Sequence, residues 1–266
     1  MAATSSPNAR SSISTVVAVT MVAYATCDLV HEALGHGVAC LFVRGVEPVS
    51  ISTVALQTHG ISKIVAASGS VANIAVGLAA LGALRFARRF TAGTYFLWLL
   101  AATNLMNGTG YLFLSGLTNS GDWAVVIRNW SPAWVWRMAL VILGAFGYAT
   151  VIILVARSLA TFVRHGYLDR HEPPRLAWVA YLAGGILLVV ASAFNRISSA
   201  LILTSGASVG FGGMIGLLVV PALVERQVPG LRPQAPAVAP SRAWLVVGIL
   251  VAALFVGILG PGISLR

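Results

Sequence analysis

Acidic side chains are scarce in this chain: Asp and Glu together number seven in 266 residues, and charged residues of all kinds make up 9%. A soluble domain carries about 25% charged residues, so this shortage, beside a hydrophobic share of 58% and a mean hydropathy of +0.89, excludes an ordinary water-soluble fold. Cysteine is scarcer still. Cys27 and Cys40 fall in one apolar segment, about 20 Å apart along a helix, which is too far to pair and excludes a disulfide framework. Both read as buried thiols. Lysine is nearly absent, sixteen of the seventeen basic residues being arginine, clustered in connections such as 85–89 (RFARR) and 164–175. With no soluble domain to carry a basic face, these arginines read as membrane-flanking anchors and not as a nucleic-acid site.

What the chain does have is a series of apolar runs, at 16–42, 64–84, 94–117, 133–160, 176–194, 199–224 and 243–260. Each is long enough to cross roughly 30 Å of hydrocarbon. They predict an all-α, polytopic membrane bundle of six to seven transmembrane helices, multi-pass in the cell (plasma) membrane. The first run continues well past a typical signal-peptide h-region and reads as a retained helix. Basic residues counted over alternate connections number about 11 on the N-terminal side and 6 on the other, which places the N-terminus in the cytoplasm.

Residues 1–13 are Ser-rich and expected to be disordered, and 227–240 reads as a Pro-rich linker. Between them the chain divides into a three-helix core over 14–127 and additional helices over 128–266 packed on it. Residues 46–58 alternate partly and are rich in β-branched side chains, as a short strand or hairpin between the first two helices would be. Gly69, Asn73 and Gly77 recur every four residues and form a small, polar-centred packing seam; Gly206 and Gly210 make a second, GxxxG seam. Trp98, Trp123, Trp130, Trp134 and Trp136 read as an interfacial belt.

The polar residues are the informative ones. The stretch DLVHEALGHG, 28–37, sets Asp28, His31, Glu32 and His36 inside an apolar run. At 100° per residue the four share a sector of about 140°, so they face the bundle interior. Asn104, Asn107, Gly108 and Gly110 lie in the middle of the third run, which is expected to break there, with Asp122 following the break. The first and third helices run the same way, so Asp122 and His36 should lie at a similar depth. Intramembrane ionisable groups cost a few kcal/mol each in lipid and need partners. Two imidazoles, a carboxylate from another helix, and a Glu left over as base are what a catalytic zinc requires. The zincin signature HExxH places its histidines one helical turn apart, whereas this chain reads HExxxH over His31 to His36. On an α-helix the two rings would diverge by about 140°; a π-bulge, with its i to i+5 hydrogen bond, realigns them, and Gly35 and Gly37 ease that distortion.

VHEALGHGVACLFVRG resembles the zinc-binding helix of the site-2 protease family of intramembrane metalloproteases. ASGSVANIAVGL is similar to that family's second core helix, with its Gly-Pro-x-Ala-Asn pattern, and NLMN…SGDW to the third, which carries Asn-x-x-Pro and Leu-Asp-Gly. The three motifs occur in family order over roughly 16–127. Ser70 and Asn107 stand where the family has proline, and GDW stands for LDG. The resemblance implies a zinc cofactor held by His31, His36 and Asp122, with Glu32 as the catalytic general base. It implies that Asn73 and Asn104 orient ligands or substrate, and Asn107 and Asp28 join them as polar neighbours. The implied activity is hydrolysis of peptide bonds in or near membrane segments of other proteins, such a segment adding to the 46–58 strand by β-augmentation.

Two other functions fit the same residues. A catalytically inactive relative would keep the fold as a scaffold for membrane proteins, its histidines and acids serving as interhelical hydrogen-bond partners. A transporter would use a broken helix with mid-membrane Asn, Gly and acids as its site, although no second broken segment repeats the first. His59 is either an extra ligand, a substrate contact or a solvated loop residue.

Overall fold

A computed structural model describes residues 10–228 and 238–265. The N-terminal part of the expected disordered segment, 1–9, and most of the expected linker, 229–237, lie outside the described residues. Ser11 is described and buried, its N–H donating to Glu172 Oε2 at 3.2 Å.

Eight helices are described: α1 (Ile13–Cys40), α2 (Lys63–Phe86), α3 (Ala92–Thr118), α4 (Asp122–Val126), α5 (Ala133–Arg164), α6 (Glu172–Ala193), α7 (Ile202–Gln227) and α8 (Arg242–Leu259). Six of them, all but α3 and α4, are long and apolar enough to cross a membrane, and the chain is a multi-pass membrane helix bundle. Where the caps are polar they are the expected ones: Ser12, Ser62, Thr91 and Ser241 each accept from a backbone N–H of the first turn. The lipid-type surface carries large apolar side chains such as Leu143, Phe146, Ile249 and Leu250, all more than half exposed. That inversion is what a hydrocarbon solvent selects, since helices satisfy their own backbone there.

The centre of the bundle is α3. It is 27 residues long, yet its polar middle keeps it out of the six apolar spans; that middle is buried without interruption from Ala101 to Gly108. Tyr95 Oη donates to Leu176 O on α6 at 2.9 Å and Trp98 Nε1 to Val155 O on α5 at 3.2 Å. One core therefore joins helices on both sides of residue 128: Tyr24, Trp98 and Leu99 lie in it beside Leu159, Leu176 and Leu217.

The fold departs from two expectations. The third run does not break at Asn104–Gly110; the helix is continuous to Thr118 and turns only at Asn119 (φ 54°) and Gly121 (φ 76°). The asparagines are satisfied by neighbouring helices, and Gly108 serves close approach: a Cβ there would lie 2.6 Å from Ile74 Cγ1 and 2.9 Å from Ser70 O. Trp98 does not belong to an interfacial belt, being fully buried with its indole N–H bonded inside the bundle. Trp134, by contrast, is 69% exposed.

The 46–58 stretch forms the hairpin β1 (Glu47–Ile51) and β2 (Leu56–His59), antiparallel with a register shift between Pro48 and Ser50. A third strand, β3 (Ile263–Ser264), pairs with Ser50 and Ile51, so the strand order among the described residues is β2-β1-β3 and β2 keeps a free edge.

Candidate metal centre

The middle of α1 is not α-helical. From Val30 to Gly37 the backbone adopts a π-helix, flanked by α-helix from Ile13 to Leu29 and from Val38 to Cys40. With hydrogen bonds running i to i+5, residues five apart stack one above the other. His31 and His36 therefore sit on one face, their ring centroids 4.7 Å apart and their planes at 88°. Glycine makes the closest packing of this segment possible: a Cβ on Gly35 would lie 2.5 Å from Gly69 Cα of α2. Gly69 in turn lies under both imidazoles, where a Cβ would stand 2.6 Å from His36 Nε2 and 2.7 Å from His31 Nε2.

Asp122 reaches the same point from the other side. It opens the five-residue α4, which is pinned on α2 by Trp123 Nε1 donating to Ser70 Oγ at 3.0 Å and by Lys63 Nζ donating to Arg128 O at 2.8 Å. Asp122 Oδ2 lies 3.0 Å from His31 Nε2 and 3.4 Å from His36 Nε2. The ligand atoms of the three residues are all within 4.8 Å of one another, a group that could hold a metal ion.

The far side of each imidazole fixes which nitrogen carries hydrogen. His36 Nδ1 lies 2.6 Å from Val65 O. A carbonyl only accepts, so Nδ1 is the donor. His31 Nδ1 lies 2.7 Å from Asn73 Oδ1, and Asn73 cannot be turned over, because its Nδ2 donates to the carbonyl of Cys27 at 3.0 Å and to Asn104 Oδ1 at 2.8 Å. Asn104 is fixed by donating to Leu100 O at 2.9 Å, and Asn107 Nδ2 adds a second donor to Asn73 Oδ1 at 3.2 Å. With both Nδ1 atoms committed as donors, each neutral ring turns a lone pair from Nε2 toward the carboxylate oxygen. Three electron-pair donors facing one another repel unless a cation, metal or proton, lies between them.

Glu32 follows His31 on the π-segment and is buried, with Oε2 accepting from Leu56 N–H of β2 at 2.6 Å. The hairpin therefore lies against the base candidate, with the outer edge of β2 turned to the site. Asp28, one turn earlier on α1, does not join the triad; its Oδ2 is buried without a hydrogen-bond partner among the described residues. His59 is exposed at the end of β2, outside the metal-binding group.

Tyr111 was not singled out from the sequence. Its ring lies tilted against His31, with centroids 4.8 Å apart and planes at 37°, on the side of the site toward α3. The available signal was spacing: Asn104, Asn107 and Tyr111 follow one another at i, i+3 and i+7, one face of a helix. Comparison of the chain with protein-family models, with curated proteins and with solved structures finds no match.

Proposed function

We propose that this chain is an intramembrane zinc metalloprotease of the site-2 type, in the plasma membrane, which hydrolyses peptide bonds in or near membrane segments of other proteins. The observation that supports this most is the convergence of His31 Nε2, His36 Nε2 and Asp122 Oδ2 on one point beside Glu32. In a tetrahedral zinc site with bonds of about 2.0–2.2 Å, neighbouring ligand atoms lie about 3.3 Å apart; the two histidine–aspartate distances, 3.0 and 3.4 Å, fall beside that value. The donor set, two imidazoles and one carboxylate with no thiolate, suits a catalytic site in which three protein ligands leave a fourth position for water.

Bound zinc would polarise a substrate carbonyl and acidify water. Glu32 would take the proton of the attacking water and return it to the leaving amine. Asn73 and Val65 hold the two rings in the tautomer that presents Nε2, and Gly69 keeps the space under them open. An unwound substrate segment would reach the site by pairing with the free edge of β2, whose Leu56 N–H already points at Glu32. The transporter reading drew on a broken third span, and α3 is continuous.

The test is metal content by mass spectrometry on detergent-purified protein prepared without added zinc. Wild type is expected to carry close to one zinc per chain, His36→Ala and Asp122→Asn close to none. Glu32→Gln should keep the metal and lose cleavage of a single-span membrane substrate by at least about a hundredfold. Well-folded wild type without metal would overturn the reading.

A further inference from the structure

The arginine-rich connection at 85–89 contributes nothing to the metal centre, and the fold puts it elsewhere. Along α2 the chain rises about 24 Å from Gly69, under the imidazoles, to Arg85. There the end of α2 meets the C-terminal part of α5, and between them opens a cavity of about 490 Å³. Its rim is cationic, formed by Arg85, Arg88 and Arg157 with His165, and its floor is apolar, formed by Leu81, Leu84 and Leu154. None of the chain's acids lines it, and among the described residues the three arginines form no ion pair.

Ser158, Thr161 and His165 each spend a polar group on the backbone of α5, while Tyr167, 43% exposed, lies against the His165 ring. Ser158 Oγ donates to Val155 O at 2.7 Å and Thr161 Oγ1 to Arg157 O at 2.9 Å. His165 Nδ1 lies 2.8 Å from Thr161 O, so it donates there and leaves Nε2 turned outward. The cavity thus offers guanidinium forks, one imidazole nitrogen and the Tyr167 hydroxyl, above a greasy floor. An anionic oxygen cluster attached to an alkyl chain is the complement of that surface, because guanidinium pairs bidentately with phosphate while the floor excludes water.

We propose that this cavity binds the headgroup phosphate of an anionic phospholipid, with the first part of an acyl chain lying over Leu81 and Leu154. Two features favour lipid over free phosphate: the apolar floor, and the position at the end of two membrane-spanning helices, which is headgroup level. It is also the end of the bundle that carries the N-terminal side's excess of arginine, the side that faces the anionic cytoplasmic leaflet if positive residues stay inside. The site is independent of the proposed proteolysis.

Native mass spectrometry of the full-length protein, released from micelles supplemented with phosphatidylglycerol, phosphatidylcholine or inorganic phosphate, tests this. Phosphatidylglycerol should be retained at one per chain in preference to phosphatidylcholine. Each arginine removed should weaken it about fivefold, so that Arg85→Gln with Arg157→Gln costs about 25-fold. Arg196→Gln, at the opposite end, should change nothing. Should the double variant aggregate, Arg88→Gln alone, on an exposed connection, carries the same fivefold expectation. Equal retention of both lipids, binding of inorganic phosphate without phosphatidylglycerol, or arginine variants that bind as wild type would each overturn it.

Discussion

Gly69 has no side chain because two imidazoles occupy the space one would fill. A methyl group there would stand 2.6 Å from His36 Nε2 and 2.7 Å from His31 Nε2, well inside van der Waals contact. Gly69→Ala is therefore expected to push the rings apart, lower metal content to a small fraction of wild type, and cost about 1–3 kcal/mol of stability from overpacking. Metal analysis and thermal unfolding measured on the same sample check both halves. Asn73 acts differently, holding His31 by a hydrogen bond of 2.7 Å without being a ligand. Asn73→Ala should weaken metal affinity by about 10–100-fold while leaving a competent site at saturating metal, as read by competition with a chelator. At this scale much was legible: acids and histidines buried in apolar sequence are costly enough to announce a purpose. Gly69 was legible only as a packing residue, since nothing in the local pattern says whether a small residue faces a helix backbone or a ring.

The π-segment is the element on which the site depends. On an α-helix, residues five apart diverge by about 140°, and His31 and His36 could not share an ion. The π-segment brings them together at the expense of one extra residue, and Leu34, 52% exposed, is the one with the fewest packing duties. Deleting Leu34 turns HExxxH into HExxH, whose histidines meet on an ordinary α-helix. The deletion variant is expected to bind metal at near wild-type stoichiometry, whereas inserting one alanine after Leu34 should abolish binding. Equal loss in both would show that the π backbone itself, and not the stacking of the rings, is required. The third run shows the reverse case, where the local signal misled. Asn and Gly at mid-membrane read as helix breakers, but α3 stays continuous because Asn73, Asn104 and Asn107 satisfy one another across α2 and α3. β3 was not foreseen, two residues being too short a strand to show any alternation.

Across the whole molecule, the group that could hold a metal ion draws its residues from α1 and α4, and α2 supplies the groups that hold both rings. A ligand bound only by the folded state stabilises it by mass action, about 2.7 kcal/mol at a free concentration a hundredfold above Kd. Chelation should therefore lower the unfolding midpoint by about 5–10 °C in wild type and by almost nothing in His36→Ala, which differential scanning fluorimetry would detect. Because metal displaces protons from imidazole, affinity must fall as pH drops through the imidazole range, by up to about a hundredfold per pH unit when two rings compete. A titration of metal affinity against pH checks the sign.

Composition alone determined that this chain lives in a bilayer and crosses it repeatedly, because apolar runs of this length have no other stable solvent. The spacing of its rare polar residues determined which helices turn ionisable groups inward, and the i to i+5 histidines called for the π-turn that the backbone adopts. Asp122 is expected beside the histidines from its depth and from the family resemblance, and the fold sets it 3.0 and 3.4 Å from them; tertiary structure alone decided that Tyr111 and Gly69 wall the site, that β2 turns its edge to Glu32, and that Arg85 and Arg157 share one cavity. Those are meetings of residues distant in the chain, and they follow from how whole helices pack; helix periodicity constrains the face a residue occupies but not the neighbour that face will meet.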